Sequence, residues 1–84
     1  MATTCMLSIA TAILENERKE WDLKVDAQYQ RMTDAEVDAA QDPDDYGKQI
    51  MRVLEQDRLS CVATRRDVEM QSLLQDTRTY LARI

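Results

Sequence analysis

The chain has 84 residues, of which 16 are acidic and 11 basic, so its formal net charge is −5; it contains no histidine and two cysteines. This length allows one domain, and a domain so small buries only about 60% of the surface that its unfolded chain exposes, which leaves its stability marginal without a disulfide, a metal or a partner. The negative charge argues against a duplex nucleic-acid partner. Without histidine and with only two isolated cysteines, the chain lacks the ligand set of a structural zinc site.

Cys5 and Cys61 are the only residues that could form a disulfide. A single Cys5–Cys61 bond is conceivable. Isolated cysteines within apolar, helix-like stretches are more often buried free thiols, and we favour that interpretation.

The first fourteen residues are faintly similar to a signal peptide, but they lack a basic start and their apolar stretch is short. No segment is long and apolar enough to predict a membrane span. We therefore expect a cytoplasmic protein, or one that is secreted without a cleavable signal.

Helix-forming residues dominate, and one glycine and one proline leave few places to interrupt the backbone. No run alternates long enough between apolar and polar residues to predict a strand. The sequence predicts an all-α, single-domain helical hairpin over residues 1–84. Its two long antiparallel arms cover about 4–41 and 43–83, with a turn at about 41–43.

The strongest break is at Asp42-Pro43. Asp42 is a good N-cap and Pro43 suits the first helical position, so the second arm is predicted to begin at Pro43. The residue before proline is disfavoured in a helix, so the first arm should end by about Gln41.

Thr33 and Glu36 have the spacing of a capping box, which would start a short separate helix over 34–41. The alternative is one continuous helix from about Thr4 to Ala40. The sequence leaves both open.

Apolar residues on the first arm recur at spacings of three, four and seven, interrupted by Arg18 and Gln28. This stripe consists of Leu7, Ala10, Leu14, Trp21, Val25, Met32, Ala35 and Ala39. Met6, Ile9 and Ile13 lie beside it and make the apolar arc wider than one neighbouring helix can cover. Trp21 is expected in the hairpin core or at a partner interface.

The second arm carries two stripes that are rotated relative to each other. The first consists of Tyr46, Ile50, Val53, Leu54 and Cys61. The second consists of Leu59, Ala63, Met70, Leu74, Leu81 and Ile84, flanked by Leu73 and Tyr80. A single seam within the hairpin does not explain both stripes, so we expect coiled-coil-like packing against a partner or another copy of the chain.

No set of residues has the spacing of a catalytic, cofactor-binding or metal-binding site, so we predict neither an enzyme nor a small-molecule substrate. The alternative function is a nucleic-acid or anion-binding regulator that uses Arg65, Arg66, Arg78 and Arg83. Acidic residues alternate with these arginines, which favours local ion pairs and no nucleic-acid partner.

Residues 42–84 resemble the needle subunits of type III secretion systems. The likeness rests on the Asp42-Pro43 turn and on Leu74-Gln75-Asp76 followed by Leu81 and Ile84. The turn lacks the second proline frequent in that family. The resemblance implies a subunit that polymerises through its C-terminal helix and is kept unpolymerised by chaperones. The small helical-hairpin co-chaperones of the same systems imply the reverse role, that of shielding such a subunit.

The sequence thus predicts a protein that binds other proteins, or itself, through apolar helix faces. The predicted partner-binding residues are Met6, Ile9, Ile13, Trp21, Leu59, Met70, Leu74, Leu81 and Ile84, and the predicted turn and capping residues are Thr33, Asp42 and Pro43.

Overall fold

The computed structural model describes the backbone of residues 2–83 and the side chains of residues 5–83. Two antiparallel helices, α1 (Ala2–Gln41) and α2 (Tyr46–Ala82), form an extended rod of 65 × 16 × 10 Å. No strand occurs within residues 2–83. The predicted all-α helical hairpin is therefore confirmed, and α1 ends at Gln41, as the position of Pro43 predicts.

The seam between the helices is formed by side chains that recur at spacings of three and four, as in coiled coils. On α1 the less exposed residues include Ala10, Leu14, Glu17, Trp21, Val25, Gln28, Met32, Ala35 and Ala39, and on α2 they include Arg52, Glu55, Leu59, Val62, Arg66, Met70, Leu73, Thr77 and Leu81. Gln49 Nε2 donates to the Ala39 carbonyl oxygen near the turn, and Arg66 Nη1 lies 3.7 Å from Asp22 Oδ1 further along. These links fix the antiparallel arrangement.

The two apolar stripes of α2 differ in their exposure to solvent. Members of the second stripe, such as Leu59, Met70 and Leu81, are half-buried along the seam. The first stripe, from Tyr46 to Cys61, is exposed throughout because it lies on the side of α2 that faces away from α1. One seam within the hairpin accounts for one stripe only.

The turn differs from the sequence prediction. The Asp45 amide donates to the Asp42 carbonyl oxygen at 3.1 Å, which closes a turn with Pro43 at its second position. The helix begins only at Tyr46, and its N-cap is Asp45, whose Oδ1 accepts from the Lys48 amide at 3.2 Å. The prediction of Asp42 as the cap and Pro43 as the first helical residue is wrong, because the fixed φ of proline suits this turn as well as a helix start.

Of the two alternatives left open at Thr33, the structure has the continuous helix and not a separate helix over 34–41. α1 runs without interruption through this residue, and Thr33 Oγ1 donates to the Tyr29 carbonyl oxygen one turn earlier at 3.0 Å. A hydroxyl satisfied in this way does not cap a new helix. Packing of Ala35 and Ala39 against α2 keeps the last turns of α1 in line with the rest.

Both cysteines are free, as favoured, but both are exposed instead of buried. Cys5 lies near the chain termini, whereas Cys61 lies midway along α2. Because each helical residue advances about 1.5 Å, some 30 Å separate the two thiols along the rod. The conceivable Cys5–Cys61 disulfide is therefore incompatible with this hairpin.

A buried polar cluster lies at the middle of the seam. Gln28 and Glu55 are both buried, and Gln28 Nε2 donates to the Glu55 carboxylate at 2.5 Å and to its main-chain carbonyl oxygen at 3.2 Å. Arg58 Nη1 donates to the other carboxylate oxygen of Glu55 at 2.6 Å. The pair thus joins α1 to α2 at a defined register.

We predict that Gln28→Ala lowers the free energy of unfolding by about 1–3 kcal/mol, because it leaves the buried Glu55 carboxylate without its partner from α1. Urea unfolding followed by circular dichroism at one protein concentration measures this loss. Gln30→Ala is the matched control, since exposed Gln30 bonds only to Asp34 on its own helix, and it should cost at most about 0.5 kcal/mol. Equal losses for the two variants would contradict the role of the pair.

We also predict that Asp45→Ala destabilises the hairpin by about 0.5–2 kcal/mol through loss of the N-cap. Asp42→Ala should cost less, about 0–1 kcal/mol, because the Asp42 side chain makes only a half-exposed ion pair with Lys48 at 3.6 Å. The same unfolding measurement ranks the two variants. The reverse order would restore Asp42 as the cap.

Candidate protein-interaction surfaces

The hairpin leaves much of its apolar surface in solvent. Its accessible surface is 6576 Å², whereas a compact protein of 9.7 kDa exposes about 5,100 Å². Its radius of gyration is 19.0 Å, against about 12 Å for a compact chain of this length. The large exposed apolar side chains within residues 5–83 are Leu7, Ile9, Ile13, Leu23, Tyr29, Val37, Tyr46, Ile50, Met51, Val53, Leu54, Val68, Leu74 and Tyr80.

One cluster lies at the open end of the hairpin, near the chain termini. Met6, Ile9 and Ile13 of α1 face Tyr80 of α2 across an open groove of about 450 Å³, which we call the terminal groove. Ile9, Ile13 and Tyr80 are each more than half exposed. An exposed apolar cluster of this kind makes the terminal groove a candidate interaction site.

A second groove, of about 490 Å³, lies nearer the middle of the rod and is lined by Leu14, Met70 and Leu74; we call it the flank groove. Arg66 and Asp22 also line it, and they pair with each other. Successive residues of a helix are rotated by about 100°, so the side chains of Ile13 and Leu14 point to different sides of α1. The two grooves therefore lie on different sides of the hairpin.

The predicted partner-binding residues are distributed over these features. Met6, Ile9 and Ile13 come together in the terminal groove, and Met70 and Leu74 come together in the flank groove. The remaining ones within the described side chains, Trp21, Leu59 and Leu81, are half-buried along the seam. Ile84 lies outside the described residues.

Trp21 is half-buried in the seam. Lys24 Nζ lies over its indole ring, 4.4 Å from the ring centroid. The lysine stem and charge cover part of the ring that α2 does not reach. This placement corresponds to the hairpin-core alternative for Trp21. The ring does not contribute to either groove.

The site prediction missed the outer face of α2. This face consists of the exposed residues at spacings of three and four that point away from α1: Tyr46, Ile50, Val53, Asp57, Cys61, Thr64, Val68, Gln71, Gln75, Thr79 and Ala82. Exposed Leu54 lies beside it. The signal was present as the first stripe of the second arm, but the sequence does not reveal which of the two stripes meets α1.

The C-terminal arginines do not form one basic patch. Arg66 pairs with Asp22 and Asp67, whereas Arg65, Arg78 and Arg83 are exposed. Arg65 and Arg78 are 13 positions apart, so they point about 140° away from each other around α2. A phosphate backbone would need them on one side.

Among the described residues, no group of three or more cysteine or acidic side chains is arranged to hold a metal ion. Neither helix, over the part of the chain that the structure describes, contains a segment long and apolar enough to cross a membrane.

The chain was compared with protein-family models, curated proteins and solved structures, and none of them matches it. The surfaces themselves therefore carry the functional argument.

Proposed function

We propose that this chain is a non-enzymatic assembly protein that presents the apolar faces of its hairpin to other proteins or to further copies of itself. The observation that carries the proposal is the accessible surface, which exceeds that of a compact chain by about 1,400–1,500 Å². A standard interface removes about 800 Å² from each partner. The excess is thus large enough to form at least one such interface.

The kind of surface also supports the proposal. The terminal groove combines Ile9, Ile13 and Tyr80, and buried aromatic anchors beside aliphatic side chains are typical of the energetic centre of an interface. Covering apolar surface contributes about 25 cal/mol per Å², and a stable interface must exceed the cost of immobilising the two partners. Neither groove has the enclosed geometry or the converging polar groups that a small-molecule site needs.

The resemblance to type III secretion needle subunits gives a narrower form of this proposal. In that form, the chain polymerises through α2, or it acts as the small co-chaperone that shields such a subunit. An extended helical hairpin with uncovered apolar faces suits either role. Electron microscopy of the concentrated protein distinguishes them, because a needle-like subunit forms filaments and a co-chaperone forms only discrete particles.

We predict that the isolated chain associates in sedimentation velocity runs between low micromolar and submillimolar concentrations, and that its midpoint of thermal unfolding rises with concentration. The double variant Ile9→Glu, Ile13→Glu should weaken this association by about tenfold or more, because it places two charges in the terminal groove.

Leu23→Glu, Val37→Glu is the matched control. It adds the same charge to α1 at two exposed apolar residues that line neither groove, so it should leave association within about twofold of the unmodified chain. A chain that stays monomeric at every concentration and is nevertheless highly stable to heat would contradict the proposed function.

A further inference from the structure

The outer face of α2 is unusual in its lack of charge. Charged residues make up 32% of the chain, yet Asp57 is the only one on this exposed face from Tyr46 to Ala82. On α1, the exposed side that points away from α2 includes three charged residues, Lys19, Asp26 and Asp34. Surface positions that face only water are normally occupied by charged and polar residues, so a nearly neutral helix face indicates contact with another protein.

Apolar residues are concentrated in the half of this face nearest the turn. Tyr46, Ile50 and Val53 are followed one turn at a time by Asp57, Cys61, Thr64 and Val68, and Leu54 widens the strip. The strip runs for about 33 Å along the helix axis. All of its residues are exposed in the hairpin, so this strip is available to another molecule.

We propose that a second copy of this chain covers the outer face of α2, with the two α2 helices antiparallel and a two-fold axis between Asp57 and Cys61. This inference rests on the proposed assembly function and names the partner and the surface. Ile50 of one copy then lies near Val68 of the other, and Leu54 lies near Thr64. Such an isologous contact uses the same surface twice, which is the commonest symmetry of homodimers.

The relative direction of the two α2 helices follows from the distribution of charge. Acidic residues crowd the turn end of the hairpin, at Asp34, Glu36, Asp38, Asp42, Asp44 and Asp45. A parallel pair would place the two acidic ends side by side and would set Asp57 against Asp57, which is unfavourable. An antiparallel pair separates the acidic ends and brings each of them towards Arg78 of the other copy. Asp57 then lies one helical turn, about 6 Å along the axis, from both Asp57 and Arg65 of the other copy.

A standard-size dimer removes about 800 Å² from each copy, and the hairpin as a whole exposes about 1,400–1,500 Å² more than a compact chain. The contact leaves the terminal groove free, because that groove includes no residue of the outer face, and the flank groove shares only Gln71 with this face.

The first test measures dimer affinity by sedimentation equilibrium. Ile50→Glu, Leu54→Glu should weaken the dimer by about tenfold or more, with Leu23→Glu, Val37→Glu as the control that should change it by less than about twofold. Circular dichroism at 222 nm checks that the helices are retained. If the outer-face variant dimerises as tightly as the control, the proposal is overturned.

The second test decides the direction. Arg78→Glu should weaken an antiparallel dimer by about two- to fivefold, because it places an acid near the acidic turn end of the other copy. In a parallel dimer the same change replaces one like-charged pair by another, so the affinity should stay within about twofold. An unchanged affinity of the Arg78→Glu dimer therefore refutes the antiparallel arrangement.

The two cysteines provide a third test. In the Cys5→Ser variant, a short bismaleimide should join the Cys61 thiols of two copies, because they lie beside the two-fold axis. In the Cys61→Ser variant, the equally exposed Cys5 thiols should give little covalent dimer. Equal cross-linking of both variants would overturn the proposal.

The outcomes separate this inference from the function on which it rests. A stable monomer at all concentrations contradicts both. Association that survives Ile50→Glu, Leu54→Glu but is lost in Ile9→Glu, Ile13→Glu overturns the inference alone and leaves the assembly function in place.

Discussion

The structure depends on one constraint, which is that two helices packed side by side share a single seam. Each helix can cover only the face that it turns towards its neighbour, and the other sides remain in water whatever residues they carry. A chain of this length could bury more surface by breaking into three or four shorter helices. The absence of glycine and proline between residues 2 and 42 removes the breakpoints for such a fold, because both residues are the strongest interruptions of a helix.

The seam itself is weakly apolar. Among the described side chains, the buried ones are two alanines, Ala35 and Ala39, together with Gln28 and Glu55. Small residues let the helices approach closely near the turn, and the Gln28–Glu55 pair then sets the register at the middle of the rod. A polar contact in a helical seam specifies alignment more than it adds stability. The hairpin is consequently well defined in register while it has little apolar burial to hold it closed.

The sequence predicted the helical class and the end of α1 because proline, glycine and helix-forming residues act locally. It misplaced the start of α2, because Asp42 and Asp45 are both good caps and only the closed turn around Pro43 selects between them. It left Thr33 undecided because a threonine hydroxyl can either cap a helix or bond to the carbonyl one turn back.

The sequence did not reveal which stripe of α2 packs against α1. Both stripes have similar apolar content, and which of them is buried depends on how its side chains fit those of α1. Gln28 was visible only as an interruption, because Glu55 becomes its partner solely through tertiary packing.

The positions of the apolar surfaces limit how the chain can assemble. An isologous contact through the outer face of α2 closes on itself and produces a dimer and nothing larger. The terminal groove lies elsewhere on the hairpin and the flank groove shares only Gln71 with that face, so a dimer would still present two copies of each. Growth into a filament requires one of these grooves to receive a different surface of the next molecule, since only heterologous contacts propagate without closing. A shielding role requires instead that a groove accept a helix of another protein and stop there. The occupant of the grooves, and not the contact between the outer faces, therefore decides between a polymerising subunit and a chaperone.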